Sequence, residues 1–577
     1  MCNTHLLLYY MMRFLVYFSI IFASLAHSWA HNTPGRHYQI PVKVTPPYLS
    51  GNFAELRSNH FHAGIDFKTQ GVVGKKIYAF DHGWVSRVSV SPWGYGNAVY
   101  ITHYSGLTTV YGHLLSFEGE LKERIHNLHY EKESFALDVT FEKGEIPVQK
   151  GQVFALGGNT GSSAGPHLHF EIRTQEAQHL VDPIPYFADK LKDQTPPQLR
   201  QIRLYPTDSA IVNGGYQAVT ATPLRNKSGN KILNKSFTAW GNVYLGVKAY
   251  DKMDDVHHIY GVKHVRLYVE DSLYFSIQFD DIPLAHSRYI NSLIDYGEKQ
   301  RTRSQMMRLM IDPGNKLYCY SHATNKGIIQ INQEKTYDCR IELRDFFGNQ
   351  TTWPFSIKGK KPSKLIAAPK VEGKFMAYDK DNLFTADGVS LRIPKGSFYT
   401  DQIFTYDTLR MTKAVSRIHQ LYSREVPLHN MTALRIAIDH DTLENKNQYY
   451  LARVYRNYPS YVSASYVDGK MSARVRDLGS YGVFVDQKTP VITAYNPKSW
   501  LSRQTIRFKI GDRETGIRSF RGEIDGKYAL FTYDGKNGML SYRMDAKKLG
   551  RNRKHQLRLT VVDNCGNETV ERRTFYW

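Results

Sequence analysis

Two short stretches place polar side chains on one face and apolar side chains on the other when each is read as an extended strand. The first, HFHAGIDF, runs from 60 to 67, and the second, GPHLHFEI, runs from 165 to 172. Successive side chains of a strand point to opposite faces. The polar faces therefore hold His60, His62, Asp66, His167, His169 and Glu171. Imidazoles and carboxylates on one face, with an apolar layer behind, predict a metal site built on a sheet.

A histidine in a third segment strengthens this prediction. His113 stands in Tyr111-Gly112-His113, at the end of a strand-like run between the two stretches. A His-x-x-x-Asp pair and a His-x-His pair can supply three zinc ligands and leave one histidine over. A single histidine or a single His-x-His occurs by chance. Three such segments within some 110 residues, each beside a glycine, indicate a functional site rather than chance.

The order and spacing of these motifs resemble a known enzyme family. The matching segments are HAGID (62–66), YGHL (111–114), KGQVFALGGNTGSSAG (150–165) and HLHFE (167–171). The region from about Glu55 to Arg173 resembles the LytM or lysostaphin-type zinc metallopeptidases, peptidase family M23. The resemblance implies a compact antiparallel β fold that cleaves peptide bonds in peptidoglycan stems or cross-bridges.

The resemblance also implies roles for particular residues. The zinc ligands fall on His62, Asp66 and His169, and the two catalytic histidines that do not bind zinc fall on His113 and His167. Of the last two, one takes a proton from water and the other contacts the developing oxyanion, and the sequence leaves the assignment open. The strand alternation places two further residues, Glu171 and His60, on the same polar faces. Glu171 is expected to support His169, and His60 is expected to line the cleft.

Two neighbouring segments bear on the shape of this cleft. Residues 115–149 exceed the usual length between the YGHL-type and GQ-type motifs, and we expect this insertion to cover one edge of the groove. The glycine-rich turn at 157–165 lacks the Lys-Ser ending of a phosphate-binding loop and precedes a strand. Its glycines are expected to allow close backbone approach beside the cleft.

A chain of 577 residues is too long for one core, and its 40 tyrosines favour β structure. The predicted class is all-β: an antiparallel-sheet M23-like peptidase domain followed by three β-sandwich-type modules. The predicted division is a signal peptide at 1–30, the peptidase domain at 31–192, an Ig-like sandwich with an insertion at 197–360, an all-β module at 366–486 and an Ig-like sandwich at 490–577.

The two Ig-like modules are predicted because four pairs of segments match. DQTPP (193–197) matches DQKTP (486–490), and VYLGVKAYD (243–251) matches TIRFKIGD (505–512). The segment at 260–280 matches that at 516–534, and LRDFFGNQT (343–351) matches VVDNCGNET (561–569). Asp-x-x-Gly-Asn is typical of a tight turn between two strands, because the aspartate caps its own backbone. The matches predict two copies of one sandwich, of which the first carries a long insertion around 281–316.

The N-terminus and the cysteines indicate an exported protein. Arg13 precedes an apolar run at 14–26 and a small-x-small site at 28–30, which is the pattern of a signal peptide. No later run is apolar enough to span a membrane, so the expected location is the periplasm or the cell exterior. An oxidising compartment would allow a bridge between Cys319 and Cys339, whereas Cys565 is expected to be a buried small residue.

The net charge of +22 is spread along the chain and accompanies no nucleic-acid-binding motif. It suits anionic, carboxylate-rich envelope polymers. The favoured function is therefore a zinc endopeptidase acting on peptidoglycan cross-links, with envelope partner proteins reached through the sandwich modules. An inactive relative that regulates other wall hydrolases and a non-enzymatic adhesin are the alternatives. Both a D-Ala–diaminopimelate cross-link and a glycine bridge remain open, and the tandem modules favour the former, in a periplasm.

Overall fold

The protein is built mainly from strands. The computed structural model describes residues 37–176, 178–207, 209–363, 372–546 and 548–577. Its strands form several largely antiparallel sheets in succession along the chain, and the predicted all-β class is confirmed. The predicted signal peptide lies outside the described residues. Within the described ranges, no helix combines the length and the apolar character needed to cross a bilayer.

The N-terminal unit is organised on one sheet whose main order is β1-β2-β10-β6-β5-β4-β7. Its strands are β1 (Leu49–Gly51), β2 (Ile65–Lys68), β3 (Lys76–Tyr78), β4 (Gly83–Val90), β5 (Asn97–His103), β6 (Leu107–Phe117), β7 (Leu137–Thr140), β8 (Pro147–Val148), β9 (Val153–Gly157), β10 (His167–Thr174) and β11 (His179–Val181). Phe67, Phe80, Tyr111 and Phe170 are fully buried behind this sheet. The polar faces of β2 and β10 therefore point away from the core.

The segment at 115–149 forms a helix and two edge strands. Helix α1 spans Gly119–Glu131 and buries Leu121, Ile125 and Leu128, which follow one another at helical spacing. Burying each of these side chains stabilises the fold by about 1.5–3 kcal/mol. This burial favours the packing of α1 onto the sheet. Strands β7 and β8 pair with β4. The prediction that 115–149 covers the groove is wrong, because none of these residues lines the cleft that holds the predicted site.

The second unit begins after the linker at 193–197. Its strands are β12 (Gln198–Pro206), β13 (Ile211–Val212), β14 (Val219–Ala221), β15 (Pro223–Arg225), β16 (Lys231–Leu233), β17 (Phe237–Tyr250), β18 (His264–Val269), β19 (Ser272–Gln278), β20 (Asp281–Pro283), β21 (Met307–Arg308), β22 (Tyr320–Ala323), β23 (Ile329–Ile331), β24 (Thr336–Arg344) and β25 (Gln350–Gly359). Strand β17 pairs with β12 along one part of its length and with β25 along another. It therefore links the two portions of the sheet to which these strands belong.

The first two units are joined by more than the linker. In the insertion, β20 adds to the N-terminal sheet by pairing with β11. Two short helices follow it, α2 (Ile290–Leu293) and α3 (Tyr296–Thr302). One hydrophobic cluster runs without a break through both units. The second unit therefore completes the core and the sheet edge of the first.

Two further β units complete the chain. The third has strands β26 (Lys374–Met376), β27 (Asn382–Ala386), β28 (Val389–Ile393), β29 (Gln402–Phe404), β30 (Tyr406–Leu409), β31 (Ile418–Leu421), β32 (Pro427–Ala437), β33 (Tyr449–Tyr455), β34 (Tyr458–Val462), β35 (Ala464–Val467), β36 (Lys470–Asp477) and β37 (Gly479–Val485). The fourth has β38 (Val491–Ala494), β39 (Thr505–Gly511), β40 (Ile517–Ile524), β41 (Lys527–Ala529), β42 (Thr532–Asp534), β43 (Met539–Arg543), β44 (Lys554–Asp563) and β45 (Glu568–Tyr576). Short 3-10 helices lie at Ile184–Phe187, Leu284–Tyr289, Thr324–Gly327, Lys446–Gln448 and Pro497–Ser499.

The fourth unit, two four-stranded sheets, returns to the N-terminal unit. The ring of Tyr528 packs edge-on against Tyr130 of α1 at 5.7 Å between centroids. An ion pair joins Arg521 to Glu133 at 2.7 Å. The Lys536 ammonium donates to backbone carbonyl oxygens in the glycine-rich turn at 157–165. The segment at 115–149 thus serves as a docking surface for the last unit.

The three cysteines within the described residues are not bridged. Cys319, Cys339 and Cys565 are all buried and carry free thiols. Burial raises the pKa of each thiol to about 12. The bridge that an oxidising compartment would allow between Cys319 and Cys339 is therefore not present.

Candidate metal centre

Three side chains from the two opening stretches meet at one point. His62 Nε2 lies 3.1 Å from Asp66 Oδ1 and 3.1 Å from His169 Nδ1. His169 Nδ1 lies 2.9 Å from Asp66 Oδ1. All three residues are at least nine-tenths buried. The structure thus brings together two imidazole nitrogens and one carboxylate oxygen in a compact triangle.

Strand pairing places two of these residues side by side. Strand β10 lies between β2 and β6, and His169 is directly opposite Asp66 on one side and Gly112 on the other. His167, His169 and Glu171 all lie on β10, as predicted.

The first stretch is a strand only in its second half. Strand β2 begins at Ile65, so the prediction of one continuous strand from His60 is wrong. His62 lies in the preceding loop and is held by a hydrogen bond from its N–H to the Glu55 carbonyl. Gly64 forces the irregularity, because a Cβ there would lie 2.0 Å from the Phe170 carbonyl oxygen. The loop must therefore pass directly over β10, and this close passage brings His62 to the site.

The second nitrogen of each imidazole has a fixed partner. His62 Nδ1 donates to the Asn52 carbonyl oxygen at 2.6 Å. His169 Nε2 donates to Glu171 Oε1 at 2.8 Å. Such contacts fix the tautomer, so His62 Nε2 and His169 Nδ1 present lone pairs to the triangle. Glu171 thus has the supporting position that the strand alternation predicted.

The donor set fits a zinc ion. Tetrahedral zinc with bonds of about 2.0–2.1 Å separates its ligand atoms by about 3.3 Å, close to the three distances in the triangle. Without metal, burial lowers the pKa of His169, but hydrogen bonds to Asp66 and Glu171 outweigh it, and the pKa rises to about 9. The additional proton then lies on His169 Nδ1, facing Asp66 Oδ1, where it takes the place of a cation.

Glu171 belongs to a buried network of its own. It is completely buried, and its Oε2 accepts from Arg173 Nε at 2.7 Å. Tyr95 donates to Oε1 at 2.5 Å. Burial raises the pKa of Glu171, but Arg173, His169 and Tyr95 outweigh it and lower the pKa to about 2. The carboxylate therefore stays charged and holds His169 in place.

His113 and His167 stand together beside the triangle. Their rings lie 4.8 Å apart between centroids, and His167 Nε2 is 3.6 Å from Asp66 Oδ1. Nδ1 of His113 donates to the Thr160 carbonyl oxygen at 2.9 Å, and Nδ1 of His167 donates to that of Gly165 at 2.8 Å. Each ring therefore keeps Nε2 free to accept a proton.

The environment keeps this histidine pair neutral. Burial first, and then the neighbouring imidazoles of His169 and His167, lower the pKa of His113 to about 3. Burial also lowers the pKa of His167. The backbone of His113 is left-handed, with φ of +60°, a conformation that a non-glycine residue adopts only under constraint from its surroundings. Both rings are thus held as neutral acceptors.

An open cleft of about 1280 Å³ leads to the triangle. His60 is one of its lining residues, and its Nδ1 contacts Asn59 Oδ1 at 2.8 Å rather than the ligand triangle. Tyr48 and His258 also line the cleft, and His258 belongs to the second unit. The cleft is therefore framed by two units of the chain.

The glycine-rich turn at 157–165 forms one wall of this cleft. A Cβ at Gly161 would lie 2.3 Å from the backbone nitrogen of Gly96. The predicted close approach of backbone beside the cleft is therefore confirmed. The turn carries Thr160 and Gly165, whose carbonyl oxygens accept the hydrogen bonds from His113 and His167.

Sequence reasoning missed four residues of the site. Arg57 lies 3.2 Å from Asp66 Oδ2, the oxygen that faces away from the triangle. Tyr95 and Arg173 complete the Glu171 network, and Asn52 acts through its carbonyl. Only Arg173 had a sequence signal, because it continues the alternation 167, 169, 171 along β10.

Comparison with known proteins assigns a class to this region. Residues 60–127 match peptidase family M23, and residues 373–486 match the Zu5-like domain. The chain therefore contains a peptidase M23 domain of the lysostaphin/LytM type near its N-terminus, followed by a Zu5-like domain.

Two of the relatives that this chain resembles are named as bacterial endopeptidases. The chain is 31% identical over 132 residues to the DD-carboxypeptidase/endopeptidase Mpg of Neisseria meningitidis serogroup B, and the match covers 23% of this chain and 24% of that protein. It is 34% identical over 111 residues to the peptidoglycan DD-endopeptidase ShyB of Vibrio cholerae, and this match covers 19% of this chain and 20% of that protein. The chain thus spans about a quarter or less of each relative.

Among solved structures, a zinc-containing peptidase from Vibrio cholerae is 28% identical to this chain. The match covers 26% of this chain and 39% of the Vibrio chain, with a TM-score of 0.19.

Proposed function

We propose that this protein is an exported zinc metalloendopeptidase that hydrolyses peptide cross-links of bacterial peptidoglycan. His62, Asp66 and His169 would hold the zinc ion, and His113 and His167 would carry the proton. The M23 match, together with relatives named as peptidoglycan endopeptidases, supports the class of substrate.

One observation carries the proposal. Three ligand atoms from His62, Asp66 and His169 converge within 3.1 Å of one another, while the second nitrogen of each imidazole is already occupied by Asn52 or Glu171. A set of buried residues that only stabilised the fold would not need two imidazoles with their lone pairs aimed at one point. Three protein ligands beside an open cleft are typical of a catalytic zinc site, in which a fourth position stays accessible.

The residues around the triangle have the chemistry that peptide hydrolysis needs. A zinc ion held by His62, Asp66 and His169 would supply a Lewis acid that polarises the scissile carbonyl and lowers the pKa of water, so that water could lose a proton and become nucleophilic near neutral pH. His113 and His167 are neutral, with Nε2 free, so the pair can accept the proton from that water. Once protonated, a ring of the pair can donate a hydrogen bond to the developing oxyanion and then pass the proton to the leaving amine.

We propose the D-Ala–diaminopimelate cross-link as the scissile bond, in a periplasm. The names of the two relatives refer to DD-endopeptidase activity, which supports this bond over a glycine bridge. The net charge of +22 favours association with an anionic polymer.

We also propose the division of the chain into the peptidase domain at 31–192, an Ig-like unit at 197–360, an all-β module at 366–486 and an Ig-like unit at 490–577. The sandwich-type units would position the cleft on the wall or bind envelope proteins. The fourth unit contacts the glycine-rich turn through Lys536, which favours a role for this unit in stabilising the cleft wall.

Digestion of purified peptidoglycan tests the function. We expect the zinc-loaded protein to release cross-link fragments, a chelator to stop the release and added zinc to restore it. Mass spectrometry of products from a defined cross-linked muropeptide would identify the bond. If the zinc-loaded protein releases no fragments but binds another wall hydrolase and changes its rate, the inactive regulator is the correct reading.

A further inference from the structure

The repeated segments of the two Ig-like units place carboxylates together in a way that the peptidase chemistry does not use. Three of the four matching segment pairs each contribute one aspartate to a cluster in either unit. The clusters are Asp193, Asp251 and Asp345 in the second unit, and Asp486, Asp512 and Asp563 in the fourth. In each cluster, one carboxylate oxygen from every residue lies within 4.8 Å of the others.

The first cluster is buried and rigidly held. Asp193, Asp251 and Asp345 are only 8%, 2% and 1% exposed. Asp345 Oδ1 accepts N–H bonds from Phe347, Gly348 and Asn349 at 2.6–2.9 Å, which is the turn expected of Asp-x-x-Gly-Asn. Backbone contacts therefore fix the cluster's position before any ligand arrives.

Two oxygens of the first cluster have no partner. Asp193 Oδ2 and Asp251 Oδ1 are buried, and neither has a hydrogen bond. None of the ion pairs found within the described ranges includes any of the three carboxylates. Burying a carboxylate oxygen without a partner is costly, so native proteins pair such groups or place them on a metal ion.

In the fourth unit, protein donors reach the corresponding carboxylates, among them those of Asp486 and Asp512. There, Thr515 Oγ1 donates to Asp486 Oδ2 at 2.8 Å. Asp512 Oδ1 accepts the N–H groups of Thr515 and Gly516 at 2.7 and 2.9 Å. Protein donors also contact Asp345 and Asp193 Oδ1 in the first cluster, but there Asp193 Oδ2 and Asp251 Oδ1 remain buried without a donor.

We propose that Asp193, Asp251 and Asp345 bind a hard divalent cation of the calcium type at the joint between the N-terminal unit and the second unit. Calcium takes oxygen ligands at about 2.3–2.6 Å, so one ion can contact oxygens up to about 5 Å apart. The site is separate from the zinc ligands and does not depend on the proposed peptidase activity.

The cation would tie the linker to the second unit. Asp193 opens the linker at 193–197, and its carbonyl oxygen accepts from Asn349 Nδ2 at 3.1 Å. Without a cation, burial first, and then the carboxylates of Asp345 and Asp193, raise the pKa of Asp251 to about 8. A proton would then offset part of the charge at neutral pH, and cation binding would release it.

Calcium binding to the full-length, zinc-loaded protein tests the site. We expect equilibrium dialysis in calcium-buffered solution to find one Ca²⁺ per chain that is lost in D251N, together with a rise in the unfolding midpoint on adding Ca²⁺ that D251N does not show. D271N is the matched control, because the Asp271 side chain is 97% exposed on the same unit; it should keep both responses. Equal Ca²⁺ stoichiometry in wild type and D251N, or no bound Ca²⁺ in wild type, would overturn the proposal.

A second variant and a local readout guard against misfolding of D251N. D193N should lose the same ion, while D512N, in the fourth unit, should keep it. Lys192 is exposed next to the linker, so Ca²⁺ should slow tryptic cleavage after Lys192 in wild type and D271N but not in D193N. Cleavage that is insensitive to Ca²⁺ in wild type would count against the site.

Discussion

The Nε2 atom of His169 lies 2.8 Å from Glu171 Oε1, two residues further along the same strand. The contact is made entirely within β10, because residues two apart share a face. It turns the opposite nitrogen of His169 toward Asp66 and His62. A single strand therefore supplies both a residue of the candidate metal site and the group that orients it.

Replacing Glu171 should weaken zinc binding. Loss of a carboxylate that orients a ligand histidine typically lowers metal affinity about 10–100-fold, and we expect E171Q to fall in that range in a competition titration with a chromogenic chelator. E171Q also leaves Arg173 buried without its charged partner, so a lower unfolding midpoint should accompany the loss.

The matched control is E176Q, which changes an exposed glutamate just beyond the same strand. It should retain wild-type zinc affinity. Unchanged affinity in E171Q would show that Glu171 does not orient His169.

His113 and His169 should respond differently to replacement by alanine. H169A removes a ligand and should lose zinc. H113A should keep one zinc per chain but lower kcat by about 10²–10⁴, because general acid–base groups contribute on this scale. Elemental analysis and muropeptide turnover measure the two effects.

H322A provides the control, because His322 is exposed in the second unit and should change neither quantity. Loss of zinc from H113A would refute its assignment as a residue that does not bind the metal.

The zinc-free protein should lose stability as the pH rises. The pKa of His169 is about 9 when no metal is bound, against an ordinary value of 6.5. A raised pKa in the folded state stabilises the fold fully below pH 6.5 or so, and this contribution is lost as the pH rises through about 9. Scanning calorimetry of the chelated protein should show its unfolding midpoint falling across this interval.

Zinc-saturated protein is the internal control, because the nitrogen of His169 then carries no proton to lose. Its midpoint should lack this fall. The same decline with and without zinc would contradict the assignment of His169 as a ligand.

Removing the lysine that links the last unit to the cleft wall should reduce turnover. Lys536 Nζ donates to the Ser163 carbonyl oxygen at 3.3 Å, and Ser163 Oγ lies 3.2 Å from His167 Nδ1. A hydrogen bond from a charged group contributes about 1.5–3 kcal/mol. We expect K536A to lower kcat/KM on a cross-linked muropeptide by about tenfold, with zinc content unchanged.

K527A removes an exposed lysine from the same unit and should have no effect. Full activity in K536A would mean that the glycine-rich turn holds His167 without help from the fourth unit.

The sequence alone predicted that His62, Asp66 and His169 would lie together, but it did not predict most of the residues that contact them. His62, Asp66 and His169 are marked by residue type and spacing, and β10 shows the predicted alternation. Asn52 acts through a backbone carbonyl, which every residue possesses, so no residue type could have marked it.

Other features depend on contacts between distant parts of the chain. Tyr95 reaches Glu171 across 76 residues. The loop that carries His62 departs from a strand because Gly64 passes over Phe170. The segment at 115–149 packs onto the sheet because Leu121, Ile125 and Leu128 form an apolar stripe, which its charged composition concealed.

The pairing of β20 with β11, together with the shared hydrophobic cluster, has a practical consequence for protein engineering. The M23-like region should not be separated from the second unit at the proline-rich linker. A fragment ending near residue 192 would expose an unpaired strand edge and apolar surface, both of which favour aggregation. Chimeras intended to carry the proposed activity to another scaffold should extend through β25, so that they include the second unit.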